Sequence, residues 1–252
     1  MAPADAGETT PAARPAPARA RPWVFLAWCV WLLAWLTPSL LVGAETGDLR
    51  PWIAPASAAA AVLAGAAIFL VAAWPFWPAL APGAFPCGES GDPTCGAHAP
   101  SSASRFIGLS VVEVLILAAL AAPMFVTARS LGGRIEAWPT AATGAGLAVF
   151  GIGLRLAAAG LGDEAPRRLM FGVLLVAGGP PAVYYAVSET MGATMPWLAA
   201  ASPVVALVQA GTGGWPDGAW PEIARLYLWP MAGVGLGAVG VLTARRARPR
   251  RV

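Results

Sequence analysis

Long apolar runs recur along this chain, and they constrain its fold more than any other feature. At least five separate segments have 18 or more predominantly apolar residues, which is the length that an α-helix needs to cross a bilayer. Charged residues make up only 12% of the sequence, against about a quarter in a soluble domain. The sequence therefore predicts an all-α, polytopic integral membrane helical bundle.

Six of these runs predict transmembrane helices. The first run, of 22 residues, could instead be a signal peptide, because Val42-Gly43-Ala44 resembles a cleavage site. Hydrophobic regions of signal peptides have about 7–15 residues, so we favour an uncleaved anchor. The predicted spans are Trp23–Ala44, Trp52–Ala81, Phe106–Ala128, Trp138–Leu161, Leu169–Val187 and Ile223–Thr243.

The arginines predict how these helices are oriented. All 16 basic residues are arginine, and both termini are rich in them, which is typical of cytoplasmic segments. Two cytoplasmic termini require an even number of spans, so the shorter apolar segment Ala193–Ala210, interrupted by Pro196 and Pro203, should not cross. We expect it to form a short outer re-entrant or interfacial hairpin. Eleven arginines then lie inside, as the positive-inside rule requires.

Three regions follow from this topology. Residues 1–22 are rich in Pro and Ala and predict a disordered cytoplasmic tail, residues 23–244 form the transmembrane domain, and residues 245–252 form a basic cytoplasmic tail. The composition resembles that of a bacterial protein, and we expect a multi-pass protein of the bacterial inner membrane. A basic tail beside a membrane helix is a topology signal, so nucleic-acid binding is not predicted.

Two ionisable residues lie inside predicted spans. Glu113 is seven residues into the third span, about 10 Å deep, and Arg155 is six residues from the end of the fourth, about 9 Å deep from the same side. A charge in the hydrocarbon region is costly and is usually paired. The equal depths predict an intramembrane ion pair. The alternative is that Arg155 snorkels to the headgroups and Glu113 is protonated or reaches interfacial water.

The fifth span contains the helix-weakening sequence Gly178, Gly179, Pro180 and Pro181. Two consecutive prolines remove two backbone donors, and broken spans can line substrate sites. The sequence therefore predicts a helix break in a transport path, or otherwise a simple kink.

Other motifs predict helix packing rather than chemistry. The fingerprint Gly235-x-Gly237-x-x-Gly240 lies inside a membrane span rather than after a strand, so we interpret it, with Gly233, as a helix-contact face. Cys87, Cys95 and His98 lack the spacing of a metal half-site, and their loop is predicted to be cytoplasmic, where thiols stay reduced. We expect no catalytic residues, no cofactor and no metal, and hence no enzyme.

The layout resembles the membrane subunits of type-2 ATP-binding-cassette (ABC) exporters. The similar features are the polar stretch Ala99–Arg105 leading through Gly108 into a span that ends near Pro123 and Gly132-Gly133, and Ser202-Pro203 before the last span. The resemblance implies a permease that moves a substrate with a separate ATPase, contacts it through the loop Pro82–Arg105, and pairs with a second copy or a related permease. The alternative is a non-transporting anchor or assembly subunit of a larger complex.

The topology gives the first test. A reporter that is active only in the periplasm, fused after Val252, should be silent, because five arginines follow the last span. A cytoplasm-active reporter at the same position should be active. Periplasmic activity would support seven spans instead of six.

Overall fold

A computed structural model describes seven stretches of the chain: residues 21–45, 55–77, 99–131, 135–161, 165–191, 201–213 and 222–246. The described residues form helices and short turns, with no strand among them. The helices are α1 (Arg21–Glu45), α2 (Pro55–Ile68), α3 (Ala99–Ser130), α4 (Ala137–Gly160), α5 (Ala165–Met191), α6 (Pro203–Thr212) and α7 (Glu222–Arg246). A π-helical segment, Phe69–Ala73, and a 3₁₀ turn, Trp74–Phe76, directly continue α2, and we count both with it.

Five of the described helical segments are long and apolar enough to cross a membrane. They are Ala58–Phe76, Phe106–Ser130, Ala137–Gly160, Ala165–Met191 and Leu226–Ala244. The described part of the chain is thus all-helical, and its helices have the length and composition of membrane-spanning helices. The first predicted span corresponds to α1, whose segment Trp23–Thr37 is apolar but shorter than these five.

The third helix is longer than the sequence predicted. The polar loop was expected to continue to Arg105, but α3 already begins at Ala99. Pro100 does not oppose this start, because a proline in the first turn of a helix has no hydrogen bond to lose. The cysteines Cys87 and Cys95, His98, and most of both terminal tails lie outside the described residues.

The bundle is built around α2. Of its segment Ala58–Phe76, 67% is buried, whereas only 11% of Ala165–Met191 is, so α5 has a large surface for lipid or protein partners. Two tryptophans of α1, the buried Trp28 and the half-buried Trp31, bind α1 to its neighbours. The Trp28 indole donates to the Leu117 carbonyl of α3 at 2.8 Å, and Trp31 donates to the Gly65 carbonyl of α2 at 2.9 Å.

Glycines bring α4 and α7 into backbone contact. A Cβ atom added to Gly153 would overlap the backbone of Gly233, and one added to Gly160 would overlap that of Gly240. A Cβ on Gly146 would lie 3.1 Å from the Pro230 ring. Residue numbers rise together on both helices along this seam, so α4 and α7 run parallel.

The glycines of the helix-contact face predicted in α7 differ in how closely they approach α4. Gly233 and Gly240 make the closest approaches, Gly237 is looser, and Gly235 faces open space. Trp229, beside this seam, is buried and packs edge-on against Phe150 at 5.3 Å between centroids.

Candidate functional site

The candidate site lies where α2 ends against α3 and α4. The last turns of α2 are a π-helical segment, Phe69–Ala73, and a 3₁₀ turn, Trp74–Phe76. The backbone N–H of Trp74 donates to the carbonyl of Phe69, five residues back, as a π turn requires. The extra residue in this turn rotates the Trp74 ring into the space between α3 and α4.

A glycine on α4 leaves room for this ring. A Cβ atom at Gly151 would lie 2.9 Å from the Trp74 ring and 2.8 Å from the Leu70 carbonyl oxygen. Any larger residue would push α2 away from α4. Trp74 is therefore fully buried, with its indole N–H directed toward α3.

The structure brings Glu113 and Arg155 together at this point. Arg155 Nη1 lies 2.7 Å from Glu113 Oε2, and the two side chains are only 8% and 15% exposed. This is the distance of a charge-assisted hydrogen bond, which is about twice as strong as a neutral one. The pair joins α3 to α4 where the sequence placed both charges at equal depth.

Two polar side chains complete the contacts of the pair. The indole Nε1 of Trp74 donates to Glu113 Oε2 at 3.2 Å. Arg155 Nη1 also donates to the hydroxyl oxygen of Ser110 at 3.3 Å. The carboxylate thus accepts from two helices, and the guanidinium is bound by two residues of α3.

Aromatic rings surround the guanidinium. Its central carbon lies 4.7 Å from the centroid of the Trp74 ring and 5.6 Å from that of Phe106. Both distances are within the range of cation–π attraction, which strengthens when the cation is desolvated. Arg155 Nε is buried and has no hydrogen-bond partner among the described residues, so these rings are its nearest substitute for water.

The arrangement couples neighbouring helices to one another. A carboxylate and a guanidinium bound to each other neutralise their charges, and the pair connects three helices in one cluster. Within the described ranges, no three His, Cys, Asp or Glu residues lie close enough together to hold a metal ion.

The predicted helix break at Gly178, Gly179, Pro180 and Pro181 is not present. Helix α5 continues through both prolines from Ala165 to Met191. Pro181 cannot donate to the carbonyl of Ala177, four residues earlier, but the hydroxyl of Ser202 donates to that carbonyl at 2.6 Å. An external donor thus replaces the missing backbone bond, which is a common way for a membrane helix to tolerate proline.

Ser202 also begins the next helix. Its hydroxyl oxygen accepts from the backbone N–H groups of Val204 and Val205 at 3.3 and 3.5 Å, and it is the N-cap of α6. The side chain is fully buried. One hydroxyl therefore satisfies a carbonyl of α5 and the first amides of α6, and it fixes the start of α6 against the middle of α5.

The far end of α6 returns to the level where α4 begins. The Glu136 backbone N–H donates to the carbonyl of Gly211 at 2.7 Å, and Gly211 packs against Leu63 and Thr140. Gly213 ends the helix in the left-handed conformation, with φ of 70°. A Cβ there would lie 2.8 Å from Glu136 Oε1, so glycine suits this position for two reasons.

The sequence predicted the pairing of Glu113 with Arg155 but not the other side chains that bind them. Phe106, Ser110 and Glu113 are spaced by four and three residues, so they share one face of α3, and this spacing could have indicated a polar cluster. No sequence signal indicates the π turn that directs Trp74 inward. Ser202 was noticed before Pro203, but its bond to a carbonyl 25 residues away is a tertiary contact.

Comparisons with protein-family models, with curated proteins and with solved structures find no significant match to this chain. The functional argument therefore depends on the geometry of the helices and of this site.

The ion pair predicts an asymmetric mutational response. Glu113→Gln leaves a guanidinium that stays charged, whereas Arg155→Gln leaves a carboxylate that can take up a proton. Removing one partner of a buried pair costs about 3–5 kcal/mol, and we expect Glu113→Gln to have the larger effect. The double variant should lose less than the sum of the single losses, with a coupling of about 0.5–3 kcal/mol.

Thermal unfolding of the full chain in detergent measures these losses. Glu189→Gln, at an exposed position on α5, is the matched control and should change stability by less than about 0.5 kcal/mol. Strictly additive losses would mean that Glu113 and Arg155 do not stabilise each other.

The Ser202 contact predicts a rescue. Ser202→Ala leaves the Ala177 carbonyl unpaired, at about 1–3 kcal/mol, and removes the N-cap of α6, at about 1 kcal/mol. Pro181→Ala restores a backbone N–H that can donate to the same carbonyl. In that background Ser202→Ala should lose only the capping contribution.

The same unfolding assay serves for this comparison. Ser188→Ala is the control, because its hydroxyl donates to a carbonyl on the exposed part of the same helix. An equal cost of Ser202→Ala in both backgrounds would show that the proline-exposed carbonyl does not matter.

Proposed function

We propose that this chain is the permease-like transmembrane subunit of an ABC-type transporter and moves a substrate across the bacterial inner membrane with a separate ATPase. The observation that carries the proposal is the short helix α6, which begins against the middle of α5 and returns to the level of the start of α4. This position supports a re-entrant element before the last span, which is the layout that the sequence shares with type-2 ABC exporters; residues 193–200 of the predicted hairpin lie outside the described residues.

The length of α6 supports a re-entrant course. Ten residues extend about 15 Å, roughly half the thickness of the hydrocarbon layer. Ala177, where α6 begins, is about 18 Å from one end of α5 and about 21 Å from the other by helix rise. The buried side of α6 packs on α2 and α4, which favours a re-entrant over an interfacial helix.

The parallel seam supports six spans with both termini cytoplasmic. Two parallel helices must be separated in sequence by an odd number of crossings. Among the described residues between α4 and α7, α5 is long enough to cross and α6 is not. One crossing satisfies the parity, and α1 then adds the sixth span, in agreement with the arginine distribution.

The Glu113–Arg155 cluster has a mechanical role in this proposal. Trp74 lies in the last turn of α2, and Glu113 lies eight residues after Arg105 in α3, so the cluster is near both sides of the predicted loop Pro82–Arg105, through which the ATPase would act. A force on this loop would reach α2, α3 and α4 together, because Trp74, Glu113 and Arg155 join all three. Transport would further require a second copy or a related permease, and the exposed apolar faces of α3 and α5 suit such a partner.

A non-transporting membrane anchor or assembly subunit is the second candidate. One observation favours it: within the described spans, the two buried charges bind each other, so neither is left free for a substrate. An anchor needs only helix packing and an exposed face for its partner.

Site-specific crosslinking distinguishes the two candidates. A photo-crosslinking amino acid at Ala99, beside the cytoplasmic loop, should capture a protein that contains a P-loop (GxxxxGK[ST]) in the native host. The same group at Met191, at the opposite end of the bundle, is the control and should not. The crosslinked pair, purified together, should hydrolyse ATP, and mutation of the P-loop lysine should abolish this. Capture at Ala99 of proteins without a P-loop would support the anchor.

A further inference from the structure

A cavity of about 550 Å³ lies between α3 and α4, with α2 as its floor. We call it the α3–α4 groove. Leu70 of α2, Ala118 and Phe125 of α3, and Ala141 and Gly144 of α4 are among the residues that line it. The volume is typical of a small-molecule site, which has about 300–1,000 Å³.

Small side chains on both helices create the groove. A Cβ atom added at Gly144 would have no other atom within 4 Å, so the space beside it is empty of protein. On the α3 side, Leu115 and Val126 are 64% and 68% exposed at the rim. The groove therefore opens sideways, toward the surface that membrane lipids contact.

One end of the groove is polar. Arg129 lines it near the end of α3, and Thr140 lines it in the first turn of α4. Arg129 is exposed, and among the described residues no carboxylate lies within salt-bridge distance of it. Almost all other lining residues are apolar, so the groove matches a molecule with a long apolar part and an anionic end.

The length and the lining of the groove suit an acyl chain. From Leu115 to Arg129 the groove follows about 21 Å of α3, and the side chains along this length are almost all apolar. One leaflet contributes about 15 Å of hydrocarbon, so the groove also reaches the headgroup layer.

We propose that the α3–α4 groove binds one acyl chain of an anionic membrane lipid, whose headgroup phosphate pairs with Arg129. The site does not depend on the proposed transport function, since it requires no ATPase and no substrate path. It makes a specific lipid part of the structure at the outer half of α3.

The test uses the full chain purified in a neutral detergent. Native mass spectrometry measures the lipid retained after incubation with phosphatidylglycerol or with phosphatidylcholine of the same acyl chains. We expect one retained lipid per chain and a preference of about five-fold for phosphatidylglycerol, from one arginine at the surface. Arg129→Gln should remove this preference, whereas Arg167→Gln, an exposed arginine at the other end of the bundle, should keep it.

A second pair of variants tests the apolar part. Gly144→Leu fills the groove and should abolish retention of both lipids. Gly172→Leu adds the same side chain at an open position on α5 and should retain them. Ala118→Leu fills the groove from α3 and replaces Gly144→Leu if that variant does not fold.

Two results would overturn the proposal. Equal retention by the Gly144 and Gly172 variants would mean that the lipid binds elsewhere on the surface. Dissociation of a dimer by Gly144→Leu, with lipid retention unchanged, would mean that a second copy of the chain covers the groove. Because neither measurement involves ATP or a partner ATPase, failure here leaves the proposed function separately testable.

Discussion

The guanidinium of Arg155 is the constraint on which the inner part of this bundle depends. It cannot lose its charge, and it is buried among helices that otherwise present apolar side chains. Its burial is tolerable because Glu113 and Ser110 of α3 and the Trp74 ring of α2 contact it. Both helices must therefore keep the rotation about their own axes that turns these side chains toward α4. Gly151 then has to be small, because Trp74 occupies the space where its side chain would be.

A second polar group sets the position of α6 in the same way. A buried carbonyl without a donor costs free energy comparable to a lost hydrogen bond, and Pro181 creates such a carbonyl at Ala177. Ser202 is the donor that satisfies it. The proline does not break α5; it creates an acceptor that fixes where the next helix begins. The two polar contacts involve different helices, so the orientation of α3 and the seat of α6 are set independently.

The parts of the architecture that depend on local sequence could be predicted, and the parts that depend on tertiary contacts could not. The thickness of the bilayer sets the length of an apolar segment, so the length of each run predicted a helix. Most ends of the long helices were predictable to within a few residues. The approach of Glu113 to Arg155 was also predictable, because helix rise converts sequence position into depth. The inward turn of Trp74 was not, since it follows from a π turn. The continuity of α5 through Pro180 and Pro181 could not be predicted either, because the hydroxyl of Ser202, which replaces the missing backbone donor, lies 25 residues away in sequence from the carbonyl that it binds.

The contacts of α3 are distributed unevenly along its length, and this connects the ion pair to the groove. Its N-terminal half is fixed to α2 and α4 by Glu113 and Ser110, and the indole of Trp28 binds its backbone at Leu117. Beyond Leu117 the helix faces α4 across the α3–α4 groove, where small residues leave space instead of interlocking. Helices in lipid associate by close packing and hydrogen bonds rather than by a hydrophobic driving force, so protein contacts alone hold the C-terminal half of α3 weakly. An acyl chain in the groove would supply the missing van der Waals contacts, and its headgroup would bind Arg129 where α3 ends. The polar cluster then fixes one half of α3 by charge, and lipid completes the packing of the other half.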